Sequence, residues 1–172
     1  MRIIAGRWRG HGLRPLRGRD VRPTTDRVRE AWMSAMGSAV PGASVVDLFA
    51  GSGALGLEAL SRGATSVVFV ERARGALTVI RQNMELLGVK DEATIVPSDV
   101  FRFLSGLEDP FDIALADPPY GRGDAVRLVE RFVEEPFAKE LWLEHPVRES
   151  LPIPEGARTR RYGDTALTTL TT

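Results

Sequence analysis

Four acidic residues, Asp47, Glu71, Asp99 and Asp117, fall where four apolar runs of strand length finish: SVVDLF, SVVFVE, ATIVPSD and FDIALAD. One carboxylate at such a position is commonplace, because a side-chain oxygen there caps the helix that follows. Four in register line one edge of a sheet and can divide the recognition of a single polar ligand among them. The first run continues as DLFAGSGALG, in which Gly51, Gly53 and Gly56 have the spacing of a dinucleotide fingerprint, with Glu71 twenty residues after Gly51. Such a loop lets backbone approach a ligand and aims helix N-terminal amides at a negative group, either a pyrophosphate or an amino-acid carboxylate. The glycine spacing alone fits NAD as well as anything. Asp47, four residues before Gly51, opposes a pyrophosphate but can pair with the cationic amino group of S-adenosylmethionine. Glu71 then suits the ribose hydroxyls, and Asp99 the adenine exocyclic amine.

The fourth run ends in ALADPPYGR. Two prolines fix φ twice and bias Asp117 and Pro118 toward extended geometry, so the chain leaves the strand stiff with its carbonyls aimed outward. An ordinary turn accounts for these residues when they are taken alone. Beside a sulfonium methyl, however, the end of the fourth strand is where an acceptor must sit, and an exocyclic amine fits it. Such a nitrogen is conjugated with its ring and a poor nucleophile. If the Asp117 carboxylate and the Pro118 carbonyl both accept its N–H bonds, its lone pair is pushed toward the methyl group. Tyr120 is placed to stack on the base.

The elements that must position these groups alternate along the chain. Helix-like stretches around residues 54 to 62, 75 to 87, 100 to 106 and 123 to 134 follow the four runs, ELWLEH makes a fifth strand, and RTRRYGDTALTTL reads as two strands turning at Gly163-Asp164. The expected architecture is α/β, a mostly parallel twisted sheet with helices on both faces, and ligands bind beyond the carboxyl ends of such strands. RPTTDRVREAWMSAM places Val28, Ala31, Trp32 and Ala35 on one helical face, with Thr25 as N-cap. The opening MRIIAGRWRGHGLRPLRG suits a small twisted hairpin.

At 172 residues the chain suits one globular domain. The absence of cysteine excludes disulfides, thiolate metal sites and a Cys nucleophile, and two histidines are too few for a histidine-based metal site, so no metal is expected. No apolar segment is long enough to span a membrane, no apolar h-region follows the N-terminal arginines, and a cytoplasmic monomer is the default expectation. Net charge is zero but unevenly placed. Residues 1–29 hold nine arginines, no lysine and two aspartates, a balance of +7 that leaves −7 on the remainder. A basic arm on an acidic body is the asymmetry of a protein that docks a polyanion through one end. Arginine in place of lysine favours phosphate contacts and base stacking. Arg2, Arg7, Arg9, Arg14, Arg17, Arg22, Arg27 and Arg29, with Trp8 between two of them, are therefore candidate RNA contacts.

RIIAGRWRG, RPTTDRVREA, DLFAGSGALGLEALSRGA and LADPPY together resemble the DPPY-bearing, S-adenosylmethionine-dependent amino-methyltransferases. Within that group the chain is similar to the bacterial enzymes that methylate N2 of one guanine, guanine 966, in 16S ribosomal RNA. The resemblance implies a Rossmann-like class I methyltransferase fold over residues 23–172 and an RNA-binding basic hairpin over residues 1–22. The implied substrate is a guanine in 16S rRNA or a partly assembled small subunit. It also implies that Asp117, Pro118, Pro119 and Tyr120 carry the target amine, while Asp47, Phe49, Gly51, Gly53, Glu71, Asp99 and Val100 carry S-adenosylmethionine. Adenine-N6 methyltransferases use the same Asp-Pro-Pro-Tyr geometry and stay open as an alternative. So do a non-catalytic RNA-binding assembly factor and an NAD-dependent oxidoreductase. Base-C5 methyltransferases need a cysteine and are excluded by composition.

Overall fold

Seven strands form one sheet in the order β3-β2-β1-β4-β5-β7-β6 in a computed structural model that describes residues 1–16 and 26–172, the side chains of Asp26 and Arg27 excepted. The elements are α1 (Asp26–Met36), β1 (Ser44–Leu48), α2 (Ala54–Ser61), β2 (Ser66–Glu71), α3 (Arg74–Leu87), β3 (Ala93–Pro97) and α4 (Val100–Ser105). They continue as β4 (Phe111–Ala116), α5 (Asp124–Glu134), β5 (Ala138–Pro146), β6 (Arg158–Tyr162) and β7 (Thr165–Thr171). The first five strands are parallel; β7 runs antiparallel to β5 and to β6, which forms the edge. This is the expected α/β architecture, with the terminal hairpin turning at Gly163-Asp164. The expected N-cap Thr25 and the candidate contacts Arg17, Arg22 and the Arg27 side chain lie outside the described residues.

The strands hold because they are buried on both faces, which is why they read as continuous apolar runs. Val45, Phe69, Ile113 and Leu115 pack on one face against Trp32, Leu57 and Ile80 from α1, α2 and α3. Val46, Val70, Ala114 and Leu141 pack on the other against Leu104, Leu128 and Phe132 from α4 and α5. Each fully buried large aliphatic or aromatic side chain contributes about 1.5–3 kcal/mol.

The N-terminal residues form the expected hairpin in reduced form. A single antiparallel bridge joins Arg2 to Gly12, closed by Ile3 N–H to His11 O and Gly10 N–H to Ile3 O, both 2.9 Å. Ile3 and Leu13 enter the same core as Trp32 and Leu57. Among the described residues no helix is long and apolar enough to cross a membrane.

Candidate active site

The parallel register brings the candidate residues to one edge. Leu48 pairs with Val70 on one side and with Ala116 on the other, so the glycine loop after β1 lies between Glu71 and Asp117. Directly after β1 the chain turns through Phe49 at φ 58°, the one described non-glycine residue with positive φ, and a residue with a β-carbon adopts that region only at a cost of roughly 1–3 kcal/mol. The Phe49 ring meets Phe101 edge-on at 6.4 Å between centroids. Gly53 is left-handed at the N-cap of α2, a conformation that suits glycine. Gly56 allows close helix–strand packing: a β-carbon there would lie 2.4 Å from the Phe69 ring and 2.8 Å from Val67.

Three of the four acids, Asp47, Glu71 and Asp99, accept backbone N–H groups. Asp47 is 1% exposed, and its Oδ2 accepts the Gly56 N–H at 2.9 Å, satisfying a first-turn donor of α2. Burial pushes its carboxyl well above the usual range, the Gly56 N–H opposes that rise, and the nearby charges of Asp117 and Glu71 add to it. Asp47 therefore sits buried beneath the loop, near the charges of Asp117 and Glu71, rather than on the open rim. Glu71 ties the loop to β2: Oε2 accepts Gly51 N–H at 3.0 Å, and Oε1 accepts the N–H groups of Arg72 and Ala73 at 2.8 Å. A carboxylate has about four acceptor positions, so Glu71 keeps capacity for a ribose hydroxyl. Asp99 caps α4 through Oδ1, with Phe101 N–H at 3.0 Å and Arg102 N–H at 3.2 Å, while Oδ2 faces Arg72 at 3.5 Å. Val100, the first residue of α4, is buried under this corner. A loop open to close backbone approach, a spare acceptor at Glu71 and the neighbouring acids Asp47 and Asp117 fit a cationic nucleoside such as S-adenosylmethionine.

On the acceptor side Asp117 is half-buried, Pro118 buried, Pro119 exposed and Tyr120 half-buried. The Tyr120 hydroxyl lies 3.3 Å from Glu144 Oε1 and 3.2 Å from Thr165 Oγ1, so its ring is fixed against β5 and β7. Glu144, buried at the level of Asp117 on the neighbouring strand, and Thr165 belong to this wall. Neither stands out in the sequence, although Glu144 interrupts the apolar run ELWLEH.

The structure separates the arm residues. Arg2, Arg9 and Arg14 are exposed. Arg7 pairs with Glu92 at 2.5 Å, and its guanidinium lies 3.8 Å over the half-buried Trp8 ring; a backbone hydrogen bond first, and the Arg7 contact second, lower the Glu92 carboxyl. Glu92 precedes β3, so the hairpin tip sits at the amino edge of the sheet, away from Asp117. Arg29 is corrected: it is 1% exposed, its Nη2 donates to the Arg2 carbonyl, and its Nε lies 4.0 Å from Glu58, so it fastens the arm and is not available to RNA.

Three buried polar residues unremarked in the sequence make that fastening. Glu58 accepts the N–H groups of Ile4 and Ala5 and Arg62 Nε at 2.8, 3.0 and 2.8 Å. Ser61 donates to Ala5 O at 2.6 Å and accepts Trp8 N–H at 3.1 Å. Asn83, fully buried on α3, accepts Arg14 N–H at 2.7 Å and donates to Arg14 O and Ser52 O at 3.0 and 2.9 Å, joining arm to glycine loop. A charged residue inside the apolar helix ALGLEALS was a legible signal; RQNMELL offered none. Two concavities of about 380 and 320 Å³, one lined by Arg81, Met84 and Lys90, the other by Pro41, Asp112 and Lys139, include none of Asp47, Glu71, Asp99 and Asp117.

A 3-2-1-4-5-7-6 sheet with a glycine loop after β1 and DPPY after β4 defines a Rossmann-like methyltransferase fold. The likeness to the TrmN structure from Thermus thermophilus, at 24% identity and TM-score 0.66 over 84% of this chain and 48% of that one, is a likeness of fold alone. The chain belongs to the family described as Conserved hypothetical protein 95, which it matches over residues 1–171. It is 39% identical over 133 residues, 76% of this chain and 67% of the other, to Ribosomal RNA small subunit methyltransferase D of Escherichia coli. Its namesake in Haemophilus influenzae is 34% identical over 81% of this chain and 74% of its own. The solved structure of a hypothetical protein of Thermus thermophilus superposes with TM-score 0.87 at 30% identity, covering 100% of this chain and 99% of that one.

Proposed function

We propose that this protein transfers a methyl group from S-adenosylmethionine to the exocyclic N2 of a guanine in 16S ribosomal RNA, guanine 966 by resemblance, acting as a cytoplasmic monomer. The relatives named as small-subunit rRNA methyltransferases support rRNA methylation. The observation that carries the site is the register of β1 with β4, which sets DPPY beside the glycine loop. S-adenosylmethionine supplies an electrophilic methyl group on a sulfonium. Glu71 holds the ribose, Asp99 the adenine amine, the loop of Phe49, Gly51 and Gly53 the amino-acid end, and Asp47 with its acidic neighbours the positive charge. Val100 supports the nucleoside corner.

The Asp117 carboxylate and Pro118 carbonyl accept the two N–H bonds of the target amine, and Pro119 stiffens the exit. Tyr120, held by Glu144 and Thr165, stacks on the base. The nitrogen that has gained the methyl group is acidic, so its extra proton passes to the Asp117 carboxylate or to solvent. The arm over residues 1–22, through Arg2, Arg9 and Arg14 and further arginines, contacts RNA phosphates, with Arg7 and Trp8 at its tip.

Labelled methyl transfer to small subunits and to naked 16S RNA from cells lacking the enzyme, followed by nucleoside digestion and mass spectrometry, tests this. N2-methylguanosine is the expected product. N6-methyladenosine would keep the mechanism and replace the target; no label despite tight cofactor binding would leave an RNA-binding assembly factor.

A further inference from the structure

We propose that the outer edge of the sheet, strand β6, is a second RNA-docking surface, with Arg158 and Arg160 holding backbone phosphates of the strand that flanks the target nucleotide. The inference rests on the rRNA reading above and adds a surface to it. Residues 156–163, GARTRRYG, carry three arginines and no acid within a part of the chain that is otherwise net negative. Among the described residues strand β6 pairs only with β7, and Arg158 through Arg161 are all exposed. None of the three has a carboxylate within salt-bridge distance among the described residues.

The register assigns them to faces. Arg160 lies opposite Leu167, and Arg158 opposite Thr169, which itself pairs with Trp142. Leu167 and Trp142 belong to the core beneath α1 and α2, and Tyr162, two residues on from Arg160, packs against that same core. Tyr162 pairs with Thr165, whose hydroxyl meets Tyr120. Arg158 and Arg160 therefore share the face of Asp117 and Tyr120. Arg161 lies opposite Ala166, between the pairs that carry Leu167 and Thr165, and takes the other face. One row crosses the sheet from Glu144, at the level of Asp117, through Leu167 to Arg160. Three strand spacings of about 4.8 Å put Arg160 roughly 14 Å from the β4 strand, within reach of nucleotides beside an extruded base.

Charges also protect sheet edges from pairing with other chains. Protection makes no distinction between the two faces, whereas phosphate binding beside DPPY does, and guanidinium groups suit phosphate better than lysine ammonium groups do. The test compares Arg158→Gln/Arg160→Gln with Arg161→Gln, using naked 16S RNA and unmethylated small subunits, over a range of salt concentrations. The pair should weaken RNA binding about tenfold or more, lower the slope of log K against log salt by about 1.5–2, and raise KM for RNA with kcat and cofactor Kd unchanged. Arg161→Gln should stay within about twofold of wild type. An unchanged slope for the pair, or an equal loss for Arg161→Gln, would overturn the docking surface while leaving the methyltransferase reading intact. Wild-type protein without RNA affinity would overturn both.

Discussion

At the scale of single residues, Asp47 and Asp117 are separated by role. Asp117 is proposed to serve the amine, so Asp117→Ala should lower kcat by about 10²-fold or more, as removal of one oriented transition-state hydrogen-bond partner does, while the cofactor Kd measured by calorimetry stays within about threefold. Turnover at the wild-type rate would remove Asp117 from the reaction. Asp47 is proposed to act through charge. Its carboxyl is raised by burial and by Asp117 and Glu71, so the folded protein holds a proton that an unfolded aspartate, titrating near 3.9, has lost. Its contribution to folding is then fully present below the unfolded value and is lost as pH rises through the raised folded value. A cation bound beside Asp47 must expel that proton, so S-adenosylmethionine should bind more tightly as pH rises across the same window. Asp47→Asn keeps an acceptor for Gly56 and should flatten the dependence in titrations at several pH values. A dependence that survives the substitution would shift the titration to another group.

At the scale of elements, the arm and the glycine loop are one mechanical unit because Asn83 directs all three of its bonds to them. Asn83→Leu leaves Ser52 O and both Arg14 backbone groups without this partner, at roughly 1–3 kcal/mol for each group left buried and unsatisfied. The cofactor Kd should rise about tenfold in RNA-free protein, and amides of residues 51–53 should exchange faster by hydrogen–deuterium exchange. Wild-type affinity in a folded Asn83→Leu protein would refute the coupling. This brace also marks where the sequence stops being legible. The strands announce themselves as apolar runs ending in acids, and the glycine spacing gives the loop, because those signals are local. Glu71 and Asp99 bond backbone N–H groups through the same carboxylates that are proposed to hold the cofactor, so spacing cannot tell the two tasks apart. Arg29 reads as one more basic residue beside Arg27, yet packing against Glu58 buries it. Asn83 gives no local signal at all, because its three partners are 69 and 31 residues distant in sequence.

At the scale of the whole molecule, the charge asymmetry becomes a geometry. The arm's tip rests at the amino edge by Glu92, its exit at Arg14 lies against the glycine loop through Asn83, and the β6 arginines lie on the opposite flank of DPPY. The rest of the chain is net negative, so the two basic flanks are where the proposed phosphate contacts fall. RNA binding should therefore depend on both. Arg9→Gln/Arg14→Gln, two exposed arm residues, should weaken binding of 16S RNA and reduce the salt slope by about 1.5–2, with cofactor affinity kept because Asn83 bonds the Arg14 backbone and not its side chain. Arg7→Gln should cost less, since Glu92 already occupies its guanidinium. Combining the arm pair with Arg158→Gln/Arg160→Gln tests whether one RNA spans both flanks. Sites this far apart add independently when both are engaged, so the quadruple variant should lose the sum of the two slope changes. A quadruple variant no weaker than the worse pair would mean that the two flanks bind alternative segments and that the RNA does not cross the site between them.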